Sequence, residues 1–109
     1  MKRIVVMLDG FIQRDVLTDK AQVTIGRNAD NDIQIDNPGV SGVHARITLL
    51  PAPMVEDLGS TNGTSVAGAK IDGPTPLRPG AMIGILRYQI YLLDEKKSAG
   101  AGRETTLKV

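Results

Sequence analysis

With 109 residues and 11.6 kDa, the chain has room for one hydrophobic core, and that core is aliphatic, because there is no Trp, one Phe and two Tyr. The absence of cysteine excludes disulfides, thiolate metal sites and Cys nucleophiles. A formal charge of +1 excludes any broad attraction to nucleic acid or to an anionic membrane, so an anion recognised here must be met by local placement.

The opening MKRIVVMLDG pairs a basic start with an apolar run that Asp9 breaks too early for a signal peptide or a membrane span. The default expectation is a soluble, cytoplasmic protein. Ile4 to Leu8, Asp9-Gly10 and Phe11 to Leu17 form a hairpin signal, since Asp-Gly supplies the positive φ angles of a type I′ turn. Gln22 to Ile25 reads as a short strand stopping at Gly26. Ile33 and Ile35 alternate with polar residues before Asn37-Pro38-Gly39 turns the chain.

Val43, Ala45, Ile47 and Leu49 then alternate with His44, Arg46 and Thr48, which puts His44 on the polar phase. Pro51 and Pro53 end this strand, and Met54 to Asp57 begins the next. Thr64 to Val66, Ala69 to Ile71, Met82 to Ile85 and Tyr88 to Leu93 follow, separated by Asp72-Gly73 and Pro79-Gly80. Twelve glycines and six prolines punctuate the length, and no helical periodicity outlasts a turn. About ten short strands at this spacing predict an all-β sandwich. From Glu95 the pattern gives way to EKKSAGAGRETTLKV, so the expectation is a domain over residues 1–94 and a flexible tail or linker over 95–109.

Three loop segments carry candidate chemistry. Arg27 follows a strand end and Gly26, and its guanidinium is a planar fork of donors that fits phosphate oxygens in pairs. The plainer reading is a solvated Arg paired with Asp30 or Asp32. Ser41 stands in a loop before a strand, where its hydroxyl serves either an anion or its own turn. His44 is the sole histidine; it lacks a nucleophile and orienter for catalysis and a second ligand for a metal, so it reads as a neutral brace between loops.

In Ser60-Thr61-Asn62-Gly63-Thr64, Asn-Gly is a strong hairpin signal, which makes Gly63 structural. Thr61 and the Asn62 amide remain free to serve a ligand, the amide being donor and acceptor at once. Asp30, Asp32, Asp36, Glu56 and Asp57 have neither EF-hand nor glycosidase spacing and are assigned to turns and solvated faces. No metal site, cofactor-binding loop or dinucleotide fingerprint is present. An enzyme would rest on Ser41 and His44 alone.

Taken in order and spacing, GRNADNDIQI, SGVHARI, DLGSTNGT and LRPGAMI resemble the forkhead-associated (FHA) domain, a phosphothreonine-peptide-binding β-sandwich, over roughly Val23 to Leu93. The resemblance implies eleven strands in two twisted, mostly antiparallel sheets, with recognition loops at one end. It implies a phosphate contact from Arg27 and Ser41, a Thr61 contact near the threonine methyl, and an Asn62 grip on the peptide backbone. Gly26, His44 and Gly63 would shape and brace the loops.

The chain departs from the pattern at Gly42, where the family often has Arg, Lys or Asn, so only a backbone N–H is offered there. Gly39 likewise lacks a side chain to read the third residue after the phosphothreonine. The implied function is a non-catalytic module in Ser/Thr kinase-dependent signalling or assembly, whose partner is a threonine-phosphorylated kinase or kinase substrate. The alternative is a phospho-independent interaction domain of the same fold with a weakened phosphate site. Thr105 and Thr106 would permit self-association if the tail were phosphorylated.

Overall fold

The computed structural model describes residues 1–94; the expected tail, with Thr105 and Thr106, lies outside the described residues. Eleven strands follow in chain order: β1 (Lys2–Leu8), β2 (Phe11–Thr18), β3 (Gln22–Gly26), β4 (Ile33–Gln34), β5 (Ala45–Thr48), β6 (Met54–Asp57), β7 (Ser65–Val66), β8 (Ala69–Lys70), β9 (Thr75–Pro76), β10 (Met82–Ile85) and β11 (Tyr88–Asp94). They form a six-stranded sheet, β2-β1-β11-β10-β7-β8, and a five-stranded sheet, β4-β3-β5-β6-β9. All pairings are antiparallel except β3 with β4. The all-β sandwich is therefore as the sequence predicts. No helix of the described residues is long and apolar enough to cross a membrane.

Strand alternation builds the core. In the larger sheet Val66, Ile83, Ile90 and Val6 stand opposite one another across four strands. In the smaller sheet Val23, Ile47 and Val55 make a matching row, with Ile25, Ala45 and Ile33 beside it. All except the half-buried Val66 are buried, and they interdigitate between the sheets as sandwich packing requires. At the Asp9-Gly10 turn both φ angles are positive, 53° and 84°, the signature of a type I′ hairpin.

Two local expectations are corrected, and one strand falls where the sequence predicts none. His44 is fully buried while Val43 is 44% exposed, so the alternation breaks before Ala45, where β5 begins. The histidine enters the interior because its two nitrogens find partners there. Asn62-Gly63 makes no hairpin: it joins β6 to β7, which belong to different sheets, and only Gly63 has positive φ. The left-handed hairpin turn falls instead at Ala67-Gly68, between β7 and β8. Strand β9, Thr75–Pro76, had no alternation to reveal it; its two residues pair with Val55 and Met54 at the sheet edge.

Register gathers the loops of interest. Ile25 pairs with Ala45, and Ala45 pairs with Asp57. The end of β3, the start of β5 and the end of β6 therefore lie side by side. The segments 27–32, 35–44 and 58–64 leave the sandwich at this one end.

Candidate functional site

The first two loops are fastened by backbone. Arg27 donates its N–H to the Ser41 carbonyl at 2.9 Å, and Asn28 donates to the Gly42 carbonyl at 3.2 Å. Asn31, almost completely buried, bonds through its Nδ2 to Gly42 O at 2.7 Å and to Asn28 O at 2.8 Å. This close approach explains Gly26, since a Cβ there would stand 2.3 Å from the Gly42 carbonyl oxygen and 2.7 Å from Asn31 Nδ2.

The third loop is joined to the second by His44. Its Nδ1 accepts the Ser41 N–H at 3.1 Å, which leaves the proton on Nε2, donated to the Gly63 carbonyl at 2.8 Å. Thr61 donates its backbone N–H to the Ser41 hydroxyl oxygen at 3.0 Å, and Asn62 Nδ2 donates to the Gly39 carbonyl at 2.7 Å. With its acceptor side taken by Thr61, the Ser41 hydroxyl keeps a hydrogen to donate outward.

These contacts frame an open cleft of about 280 Å³ lined by Arg27, Ser41, Gly42, Thr61 and Asn62, with the 38–40 segment as its remaining wall. No carboxylate lines it. Asp32 is engaged by Lys20 and by the Thr24 N–H, and among the described residues no carboxylate forms an ion pair with Arg27. The guanidinium has one weak internal contact, to the Pro38 carbonyl at 3.4 Å, and is otherwise exposed. The structure thus brings Arg27, Ser41, Gly42, Thr61 and Asn62 to one cleft, with Gly26, His44 and Gly63 beneath it. A cation without a counter-charge, a hydroxyl and an amide around a cleft suit an oxygen-rich anion attached to an extended chain.

Two residues central to this geometry escape the sequence reading. Asn31 ties the loops together, and nothing in its surroundings distinguishes it from its surface neighbours in sequence. Asp57, assigned to a solvated face, instead accepts hydrogen bonds from Ser60 N at 2.8 Å, Ser60 Oγ at 2.5 Å and Thr64 Oγ1 at 2.7 Å. Burial pushes its carboxyl up, but the hydrogen bonds from Ser60 and Thr64 outweigh that and hold it below the usual aspartate value. The available signal was Ser and Thr three and seven residues on, a loop-capping pattern.

Comparison with known proteins agrees with this architecture. Solved structures with the same fold include the FHA domain of CT664 from Chlamydia trachomatis, with 24% identity and a TM-score of 0.76, covering 86% of this chain and 97% of that one. EmbR of Mycobacterium tuberculosis, solved in complex with a low affinity phosphopeptide, is 30% identical with a TM-score of 0.75; the match covers 92% of this chain but 25% of that one. The FhaA FHA domain, complexed with the intracellular domain of Rv3910, is 27% identical with a TM-score of 0.71, covering 83% and 99%. No curated protein matches the chain. The FHA domain family model matches residues 23–86, more than half of the sequence, and the chain belongs to that family.

Proposed function

We propose that the chain is a non-catalytic reader of phosphothreonine in extended peptides. The observation that carries this reading is the convergence of an Arg27 guanidinium without a carboxylate partner and the Ser41 hydroxyl on one carboxylate-free cleft. The phosphopeptide complex of EmbR, a relative at 30% identity, supports it.

A phosphothreonine carries about −1.5 to −2 charge at neutral pH and three strong acceptor oxygens. Arg27 would meet two of these oxygens with its fork. Ser41 would donate its hydroxyl hydrogen, and the Gly42 N–H adds a donor without a side chain. Thr61 stands by the threonine methyl, and Asn62 pairs with the peptide backbone beyond it. No nucleophile, base or metal is assigned, because every group at the cleft is used for holding. The partner is a threonine-phosphorylated kinase or kinase substrate, met in the cytoplasm.

The test is a titration of phosphothreonine, phosphoserine and unphosphorylated versions of one peptide against wild type and Arg27→Ala. A charge-assisted bond contributes roughly 1.5–3 kcal/mol, so Arg27→Ala is expected to weaken binding by on the order of tenfold to a hundredfold. The threonine methyl adds about 1 kcal/mol of preference over phosphoserine by transfer alone. Equal affinity for phosphorylated and unphosphorylated peptides removes the proposal.

One observation favours a second mode of interaction. On the outer face of the six-stranded sheet, Ile12, Leu17 and Leu93 are 60%, 49% and 43% exposed, with Met7 and Tyr91 on the same face and the Arg3–Asp15 ion pair among them. The outer face of the smaller sheet carries Gln22, Thr24, Arg46, Thr48 and Glu56, with Met54 and Pro76 toward one edge. Partner binding that survives Arg27→Ala and is lost in Ile12→Asp would assign the interaction to that face.

A further inference from the structure

Residues 60–64 form an arch with Thr61 and Asn62 exposed at its crown. Two glycines of positive φ flank the crown, Gly59 at 78° just before the arch and Gly63 at 86° within its far foot. Glycines at both feet give the segment more accessible conformations than an ordinary loop, so something must select the one that aims the crown at the cleft.

The Asp57 carboxylate supplies that selection. Oδ1 accepts the Ser60 N–H, while Oδ2 accepts the hydroxyls of both Ser60 and Thr64. Its contacts thus fall on both feet of the arch and on neither residue of the crown. Thr64 is 2% exposed, so its bond is shielded from water. Ser60 Oγ in turn accepts the Gly63 N–H at 2.9 Å, and the Gly63 carbonyl accepts the His44 Nε2–H. The carboxylate is therefore one end of a hydrogen-bonded path through Ser60, Gly63 and His44 to the Ser41 N–H. Asp57 itself does not line the cleft.

We propose that Asp57 is a positioning residue for ligand binding, holding the 60–64 arch closed so that Thr61 and Asn62 are presented to the peptide. This rests on the phosphopeptide reading above. It predicts energetic coupling to Asn62, which the arch carries, and none to Arg27, which stands on a different loop.

The full chain is compared with Asp57→Asn and with Thr64→Val, which removes one bond to the carboxylate at nearly constant volume. Amide hydrogen exchange is read at Ser60 and Gly63 without ligand, and affinity is read with a phosphothreonine peptide selected on the wild type. The expected result is faster exchange confined to 58–64 and affinity reduced about tenfold, with unchanged binding stoichiometry. Asn62→Ala should then cost little more in the Asp57→Asn background, while Arg27→Ala retains its full effect there. Thr64→Ser, which keeps the hydroxyl, should restore binding.

Unchanged exchange at Gly63 in both variants overturns the inference whatever peptide is used. So does an effect fully additive with Asn62→Ala. If Asp57→Asn fails to fold, Thr64→Val decides on the same readouts. Loss of discrimination between phosphorylated and unphosphorylated peptide in the wild type fails the phosphopeptide reading instead, and leaves the exchange measurement to judge whether Asp57 holds the arch.

Discussion

The Ser41 hydroxyl oxygen accepts the Thr61 backbone N–H at 3.0 Å, so one side chain both joins two loops and presents a hydrogen to the cleft. Ser41→Ala removes both roles. The orphaned Thr61 N–H lies on an exposed residue, where water replaces the lost acceptor, so the stability loss should stay within about 1 kcal/mol. Phosphopeptide affinity should fall by on the order of tenfold, because a hydrogen bond to a charged oxygen is lost. Paired melting and titration measurements separate the two. A melting loss large enough to unfold the domain would recast Ser41 as mainly structural.

Gly26 is required by proximity rather than by an unusual φ. In Gly26→Ala the new methyl meets a backbone carbonyl oxygen at 2.3 Å, and that oxygen already accepts from Asn28 and Asn31. Neither partner is a flexible side-chain end that swings away freely, so the 27–31 and 41–42 segments must separate. Overpacking of this kind costs typically 1–3 kcal/mol, and about that loss is expected in denaturant unfolding. Affinity should fall as well, because Arg27 and Ser41 sit on the two segments driven apart. Wild-type stability in Gly26→Ala would show the loops to be looser than their contacts imply.

His44→Ala leaves the Ser41 N–H and the Gly63 carbonyl without their partner and opens a void at a fully buried position. Each unsatisfied group costs about 1–3 kcal/mol, so the expected destabilisation is on the order of 2–5 kcal/mol, large beside a marginal domain stability. His44→Gln, which restores some hydrogen bonding without the ring, should lie between. Chemical denaturation of the three proteins gives the order. Equal stability of His44→Ala and wild type would mean that water replaces the ring without loss.

How much of this was legible in the sequence depended on whether the signal was local. Ile33, Ile35, Ala45, Ile47 and Leu49 are buried where period-two alternation puts them, because each strand's pleat is a property of its own residues. His44 defeated that reasoning: its burial depends on partners 3 and 19 residues away, which no alternation encodes. Asn62-Gly63 carried a hairpin signal, yet the following strand pairs in the other sheet, so the turn residue was read correctly and its topology was not. Ala67 adopts φ 51° without the usual Asn or Gly, since pairing of Val66 with Ala69 imposes the turn. Asp57 looked like any surface carboxylate, because its role lies in folding the loop back onto it.

Acid should remove binding and folding in separate windows. The Asp57 carboxyl is held below its ordinary value, burial opposing the stronger effect of the Ser60 and Thr64 hydrogen bonds. Asp32 is lowered as well, chiefly by the Lys20 hydrogen bond. A carboxyl lower in the folded state than in the unfolded chain binds fewer protons when folded. Its stabilisation is therefore complete above the unfolded pKa of about 3.9 and is lost as pH falls through the folded value. The ligand titrates earlier, since the second phosphate pKa is near 6. Affinity should decline between about pH 7 and 5 with the fold intact, and unfolding free energy should decline only below about pH 4. Asp57→Asn should be less stable near neutrality and show a shallower acid slope, while keeping the wild-type pH dependence of whatever affinity remains. Titrations and denaturant melts across this range test both windows; coincident loss of affinity and stability would mean that the protein's own carboxylates, rather than the ligand phosphate, govern binding.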